Sequence, residues 1–335
     1  MHETMPFLGE ALGQSENFLS FSENLSQVAG VERPVLLMGE RGTGKELAAH
    51  KIHFLSSRWQ GPFVALNCAA LSPTLMESEL FGHEAGAFTG ATYKRLGRFE
   101  MANEGTLFLD EISLIPMEVQ EKILRVVEYM EFERVGGSVP VQVDVRIVAA
   151  THEELPSLAA SGRFKQDLLD RLSFEVLFLP PLRERGEDIL LLARHFGNRM
   201  ALELGRPEPP VFSREAEQAL LAYAWPGNVR ELKNVVERAV YRTKESVVTE
   251  IDFDPFQSPY TPKTSQQPQS PQDEKVEPSI ALPFPTGSLK EAVLELEATA
   301  LQEALKRTRY NQKRAAKLLG LTYHQFRGLY RKHAK

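Results

Sequence analysis

Apolar residues group into five short continuous runs, Pro34–Met38, Phe63–Leu66, Thr106–Leu109, Val145–Ala150 and Val176–Leu179. None alternates apolar with polar positions, so each predicts a strand buried on both faces of a parallel sheet. Between them, segments such as Glu46–Leu55 and Pro116–Tyr129 carry apolar residues at helical spacing. Strands alternating with helices predict an open α/β sheet. Beyond Pro181 helical spacing takes over, in Glu187–Leu204, Ser213–Tyr223 and Asn228–Arg242. An α/β body at 8–182 followed by a helical subdomain at 183–253 is therefore expected.

The pattern fails over 254–287, where 8 prolines stand among Ser and Gln with few apolar residues. Such a stretch cannot assemble a core and reads as a linker ahead of a small domain at 288–335. Charge changes with it. The whole chain carries −6, but Leu289–Lys335 holds 11 Lys+Arg against 4 Asp+Glu, a net of +7 that leaves −13 for the rest. A basic tail on an acidic body points to a polyanionic partner for the tail. The single cysteine, Cys68, excludes a disulfide framework and fits a reducing cytoplasm. No apolar run approaches the ~20 residues of a membrane span, and Met1–Glu10 lacks the basic and apolar regions of a signal peptide. A cytoplasmic location is expected.

The candidate chemistry begins where Pro34–Met38 runs into Gly39-Glu40-Arg41-Gly42-Thr43-Gly44-Lys45-Glu46 ahead of a helix. Glycines in such a loop let backbone N–H groups turn onto phosphate oxygens. The helix N-terminus adds positive potential, and Lys45 neutralises the outer phosphates. Glu46 departs from the general motif, which has Ser or Thr there as a magnesium ligand. Thr106–Leu109 ends in Asp110-Glu111, a pair suited to hold Mg²⁺ (Asp110) and to polarise an attacking water (Glu111). Asn67, ending another strand, is placed to hold Glu111 off the water if those strands neighbour, or else is a strand-end turn residue. Asn228 and Glu231 form an N-x-x-E capping pattern that puts Arg230 in a first helical turn. A cation there opposes the helix dipole, so an ATP γ-phosphate or a local acid such as Glu231 should compensate it.

The segment Glu79–Ala91, with the string Gly86-Ala87-Phe88-Thr89-Gly90-Ala91, resembles the signature loop of the bacterial enhancer-binding proteins. These are AAA+ activators of sigma-54 RNA polymerase. Trp225-Pro226-Gly227-Asn228-Val229-Arg230-Glu231-Leu232 is a second family string. The resemblance implies a P-loop ATPase with a helical lid, assembled as a hexameric ring that cleaves ATP with Mg²⁺ between subunits. It implies that Gly86–Ala91 touches sigma-54. Read from its residues, that loop has Gly82, Gly86 and Gly90 for mobility and Phe88 as a large apolar tip. Phe164–Leu172 matches the segment that donates arginine fingers; Arg171 fits one position, and Lys165 stands at the other, without the planar fork of arginine. An ion pair of Arg171 with Asp167 or Asp170 is the alternative. Thr151 fits a phosphate sensor, and His152 stands where the family usually has Asn. With the ATPase module beginning near residue 8, no sensory domain is expected ahead of it. The resemblance then implies the phage shock (membrane stress) operon as target and phage shock protein A as inhibitor. Trp59 is the candidate contact for that inhibitor, or a half-buried packing aromatic.

In the tail, Asn311–Leu319 predicts a helix, Gly320 a turn, and Thr322 a second helix with Gln325 as its capping partner. Ala315 and Ala316 permit close approach, with Leu318, Leu321, Phe326 and Leu329 as the apolar seam. His324, Arg327 and Arg331 share the opposite face. This is similar to the factor-for-inversion-stimulation type of helix-turn-helix. Tyr323, His324 and Arg327 are candidates for base edges of enhancer DNA, and Lys313, Arg314, Arg331 and Lys332 for phosphates. Leu289–Arg307 carries one stripe of Leu289, Val293, Leu296 and Ala300 and another of Leu294, Leu301 and Leu305, which predicts a dimer on a palindromic site. Two rivals stay open: an AAA+ remodeller of another protein, and a DNA-binding repressor with an inert nucleotide site.

Overall fold

The computed structural model describes residues 11–256, 289–308 and 310–333. Two compact units divide at 258/259. The first contains, in order, α1 (Glu16–Ala29), β1 (Val35–Met38), α2 (Lys45–Phe54), β2 (Phe63–Asn67), α3 (Pro73–Phe81), α4 (Arg98–Met101) and β3 (Thr106–Asp110). Then follow α5 (Met117–Tyr129), β4 (Glu131–Glu133), β5 (Pro140–Gln142), β6 (Arg146–Thr151), α6 (Leu155–Ala160), α7 (Gln166–Leu172) and β7 (Glu175–Phe178). The helical part is α8 (Gly186–Glu203), β8 (Val211–Phe212), α9 (Arg214–Ala222), α10 (Asn228–Arg242) and β9 (Val247–Val248).

Five parallel strands form one sheet in the order β2-β3-β6-β1-β7. The central strands β1, β3 and β6 are buried on both faces, as continuous apolar runs require. Leu36, Leu107, Leu109 and Ile147 face one core, and Val35, Leu37, Phe108 and Val148 the other, with α1 and α2. The edge strands differ from expectation. β2 alternates buried with exposed positions and β7 is largely exposed, because an edge strand has a neighbour on one side only. Helix α1 precedes the first expected strand, and its apolar residues Phe18, Phe21, Leu25, Val28 and Ala29 fall at helical spacing on the face that packs on the sheet. The Ser, Asn and Glu between them lie on the other face, as in an amphipathic helix. Arg146 reaches its C-terminus, donating to the carbonyls of Ala29 (2.6 Å) and Val28 (2.9 Å).

The sheet's crossovers carry β1, β3 and β6 to a common end, with Met38 opposite Thr151 and Leu109 opposite Ala149. That crevice beyond the strands' C-terminal ends is where open α/β sheets bind ligands.

The second unit is α11 (Leu289–Arg307), α12 (Gln312–Leu318) and α13 (Tyr323–His333) around a core of Leu301, Ala304, Leu305, Ala315, Ala316 and Phe326. Leu318 is not in the seam: it is 56% exposed, and Leu319 packs inward in its place. Most of the expected linker at 254–287, and the side chains of Leu289, Val293, Leu294 and Leu296, lie outside the described residues.

Candidate functional site

The phosphate loop joins β1 to α2, with Gly42 and Gly44 at φ +79° and +100°. Only backbone without a Cβ holds these angles cheaply. Gly39 N–H donates to Thr151 O (3.2 Å), and Thr43 Oγ1 to Glu40 O (2.8 Å). Lys45 Nζ bridges the carbonyls of Gly39 (2.9 Å) and Glu40 (3.3 Å). Burial lowers the pKa of this ammonium, against the pull of Glu111 and Asp110. Glu46 lies exposed in the first turn of α2, where a carboxylate suits the helix dipole.

Asp110 and Glu111 follow β3 at the same end of the sheet. Burial, then the charge of Glu111, pushes the Asp110 carboxyl above its ordinary range, so a cation beside it would be welcome. Glu111 has φ +54°, and its N–H donates to Asp110 Oδ1 (3.1 Å). Asn67 is paired in register with Asp110, as the neighbouring strands required. Its side chain does not hold Glu111, however: Asn67 Oδ1 caps Ala69 N–H (2.9 Å) at the start of a short 3₁₀ turn. The partner of Glu111 is His152, with Nδ1 2.7 Å from Oε2. Thr151, fully buried, donates to Ser113 Oγ (3.2 Å) and accepts from Glu153 N–H (3.0 Å). Nearby, burial pushes the Cys68 thiol up to about 12, leaving it inert.

The helical subdomain closes over this loop. Arg183 forks onto Glu40 with two hydrogen bonds of 2.9 and 2.7 Å. Asn228 Nδ2 donates to Glu40 Oε2 (3.0 Å) and Arg41 O (3.1 Å), while its Oδ1 accepts Leu182 N–H (2.8 Å). The expected capping pattern is therefore shifted. Gly227 is the N-cap of α10 and its N–H donates to Glu231 Oε2 (2.7 Å), while buried Asn228 at φ +52° binds the phosphate loop. Arg230 does fall in the first turn, its Cβ against Gly42. Glu231 accepts from Gly227 N–H and from the Tyr223 hydroxyl (3.2 Å), both neutral donors.

Beside Thr43 and Gly44 opens a cavity of about 200 Å³ walled by Leu12, Phe18, Leu179, Phe196 and Val229. Asp188 ties the 11–15 segment to the helical subdomain, accepting from the N–H groups of Gln14 (2.6 Å) and Ser15 (2.9 Å), the Ser15 hydroxyl (2.7 Å) and Arg185 Nε (2.8 Å). Sequence reading missed these walls and Arg183, for their role comes only from the folded chain. The one local hint was Pro180-Pro181-Leu182-Arg183, where the strands stop.

The remaining candidates lie apart from the loop. Lys165 pairs with Glu121 (2.5 Å) and Arg171 with Glu128 (2.8 Å), rather than with Asp167 or Asp170. Arg171 lines a cleft with Arg33, Pro34 and Arg146, where β1 and β6 begin. That is the opposite end of the sheet from the phosphate loop. Gly86 (φ +84°) and Gly90 (φ +108°) have open space around them, and Gly86 N–H closes the loop onto Ala91 O (2.7 Å). Gly82 is a packing glycine instead of a hinge: a Cβ there would lie 2.4 Å from Arg95 O. Ala87 packs on Gly136, and Phe88, 45% exposed, sets its ring edge-on to His83 (5.0 Å). Thr89 is exposed and Ala91 buried. Trp59 is 52% exposed.

In the second unit, Asn311 caps α12 by accepting Arg314 N–H (3.2 Å). Gly320 turns at φ +68°. Thr322 and Gln325 make the reciprocal capping box, at 3.0 and 3.4 Å. Tyr323, His324, Arg327 and Arg331 on α13, and Lys313 and Arg314 on α12, are exposed. Lys332 is paired with Glu297 (3.1 Å).

The chain belongs to the family of AAA+ activators of sigma-54 RNA polymerase: it is an ATP-binding ATPase joined to a Fis-type helix-turn-helix, and it activates sigma-54-dependent transcription. The family described as "Sigma-54 interaction domain" matches residues 11–177, "AAA+ ATPase lid domain" matches 183–270, and "Bacterial regulatory protein, Fis family" matches 293–335. The Psp operon transcriptional activator of Escherichia coli K12 is 54% identical over 96% of this chain and 97% of its own. The regulatory protein AtoC of the same organism is 42% identical over 94% of this chain, which spans 65% of AtoC. Crystalline NtrX of Brucella abortus in complex with ADP superposes with a TM-score of 0.68 at 34% identity, over 97% of this chain and 70% of that one. No helix among the described residues is long and apolar enough to cross a membrane.

Proposed function

We propose that ATP hydrolysis in a ring of this chain drives the Gly86–Ala91 loop against sigma-54 at the phage shock operon. The observation that carries the reading is the meeting of Lys45, Asp110, Glu111 and Arg230 around one glycine loop at one end of the sheet. The backbone of Gly39–Gly44 cradles the phosphates, Lys45 neutralises them, and the apolar cavity beside Thr43 takes the adenine. Glu111 accepts the proton of the water that attacks the γ-phosphorus, as the bond to the ADP oxygen breaks. Asp110 would hold Mg²⁺, which supplies charge neutralisation of the phosphates. The donor set fits, for magnesium takes one or two carboxylates plus phosphate oxygens and water. Thr151 and Arg230 read the γ-phosphate from within the subunit.

Arg171, with Lys165, acts on the neighbour's nucleotide. Its place at the far end of the sheet supports action across a ring interface, by family resemblance a hexamer. Breaking its pair with Glu128 is then part of assembly. Phe88 and Thr89 grip sigma-54. In the second unit, Tyr323, His324, Gln325 and Arg327 read enhancer bases as a dimer, while Lys313, Arg314, Thr322, Arg331 and Lys332 hold phosphates. The Fis-type helix-turn-helix, whose partner is DNA, supports a cytoplasmic location. Exposed Trp59 fits contact with an inhibitor such as phage shock protein A.

Sigma-54-dependent transcription in vitro tests the whole. Wild type should convert closed to open promoter with ATP, and Lys45→Ala should do neither hydrolysis nor conversion. Open-complex formation by Lys45→Ala would refute the mechanism.

A further inference from the structure

We infer that Arg185 is the positioning residue for the base end of the ATP site: one buried guanidinium sets two walls of the cavity beside Thr43. This rests on the reading of that cavity as the seat of the adenine. Leu12 and Phe18 come from the chain ahead of β1, while Leu192, Phe196 and Val229 come from α8 and α10. Apolar contact is non-directional and by itself fixes no spacing between the two sides. A pocket of this kind needs a few placed polar groups to set its shape.

Arg185 supplies that geometry. Its Nε donates to Asp188 Oδ2 (2.8 Å) and its Nη2 to the carbonyl of Leu12 (2.9 Å). The same flat group lies over the Phe18 ring, 4.1 Å from the centroid, an attractive contact for a cation. Gly13 confines that ring as well, for a Cβ there would stand 2.3 Å from Phe18 Cδ1. Leu12, Phe18 and Arg185 all line the cavity. The side chains of Arg185 and Asp188 are 4% and 0% exposed, so water does not compete for these bonds.

A purely structural ion pair is the plainer reading, and the contacts weigh against it. Buried ion pairs are often no more stabilising than apolar side chains of the same volume. Asp188 already fastens the N-terminal segment to α8 through Gln14 and Ser15, neither of which lines the cavity. Arg185 adds a hydrogen bond to Leu12 and a ring contact to Phe18, and both of these are walls. Lysine could keep the charge opposite Asp188. It lacks the planar fork that serves Asp188, Leu12 and Phe18 together.

The test measures displacement of a fluorescent ADP analogue from the full-length protein by ADP and by inorganic tripolyphosphate, which offers phosphates without a base. ATP turnover and the urea midpoint are followed alongside. Arg185→Lys should weaken ADP about 10-fold, the lower range for a hydrogen bond from a charged donor, and tripolyphosphate by less than about threefold. KM for ATP should rise in step, with kcat within about threefold of wild type. Gly13→Ala, which displaces the Phe18 ring, should repeat this pattern. Ser15→Ala removes a donor to Asp188 outside the cavity, so it should lower the urea midpoint and leave ADP affinity within about threefold of wild type. Equal loss of ADP and tripolyphosphate by Arg185→Lys, unchanged ADP binding, a defect confined to kcat, or an equal loss of ADP affinity in Ser15→Ala would overturn the inference. If wild type binds ADP no more tightly than tripolyphosphate, the reading of the cavity fails. If it prefers ADP and Arg185→Lys leaves that preference unaltered, only the role of Arg185 fails.

Discussion

Gly42 in the phosphate loop faces Gly227 at the start of α10 so closely that a Cβ on Gly42 would lie 2.3 Å from the Gly227 carbonyl oxygen. The loop can come this close only because Gly42 carries no side chain. The phosphate loop is thus keyed to the helical subdomain that presents Arg230. Gly42 also holds φ +79°. Gly42→Ala must both clash and strain, and overpacking of this kind costs about 1–3 kcal/mol. We expect ADP affinity to fall by roughly 5- to 150-fold, the same energy expressed as binding. A fluorescent ADP titration checks it, and wild-type affinity in the alanine variant would show loop and lid to be independent.

Asn228 is fully buried and satisfies Leu182 N–H, Glu40 and the Arg41 carbonyl at once. Asn228→Ala leaves a buried N–H without its acceptor, a loss of about 1–3 kcal/mol. The urea midpoint of the ATPase unit should drop accordingly, and KM for ATP should rise as the loop loosens. An unchanged midpoint would mean that water replaces the amide at no cost.

Asp188 should make stability fall in acid. Burial by itself would raise its pKa, but the N–H of Gln14, Arg185, and the hydroxyl and N–H of Ser15 together hold it below the ordinary carboxylate value. A depressed native pKa contributes stability that is complete above the unfolded value of about 3.9 and is lost as pH falls through the native one. Asp188→Asn strands the buried Arg185 guanidinium, so at pH 7 it should cost about 3–5 kcal/mol. The gap between wild type and variant, followed by urea denaturation, should narrow below about pH 4. A gap independent of pH would remove the charge from the explanation.

Phe88→Ala and Thr89→Ala alter a loop whose glycines Gly86 and Gly90 face open space, away from the nucleotide residues. ATPase activity should therefore stay near wild type while open-complex formation disappears. Full transcription by either variant, in a reconstituted assay, would take the loop out of the mechanism.

On DNA, Arg327→Ala should cost about 1–3 kcal/mol and relax the preference at one base pair. Lys313→Ala should weaken all sequences alike and reduce the salt dependence by about one counterion. Binding isotherms at several salt concentrations distinguish the two. Identical behaviour of the variants would place Arg327 on phosphate.

Much of this molecule could be read from the chain alone. The glycine loop ending in Lys45, the Asp110-Glu111 strand end, the Gly86–Ala91 string and the Thr322–Gln325 capping box are local patterns, in which a few adjacent residues carry the geometry themselves. The central strands and α10 were legible for the same reason, since burial on both faces or on one stripe repeats within a few residues. What tertiary structure alone decided is which ends meet. The order β2-β3-β6-β1-β7 brings both Asn67 and His152 to the end of β3, and side-chain packing then puts His152 on Glu111 and Asn67 on Ala69 N–H. Packing elsewhere puts Glu128 on Arg171 and sets the cap of α10 at Gly227 so that Asn228 reaches the phosphate loop. Side-chain partners of that kind are set by packing between segments far apart in sequence, and periodicity holds no information about them.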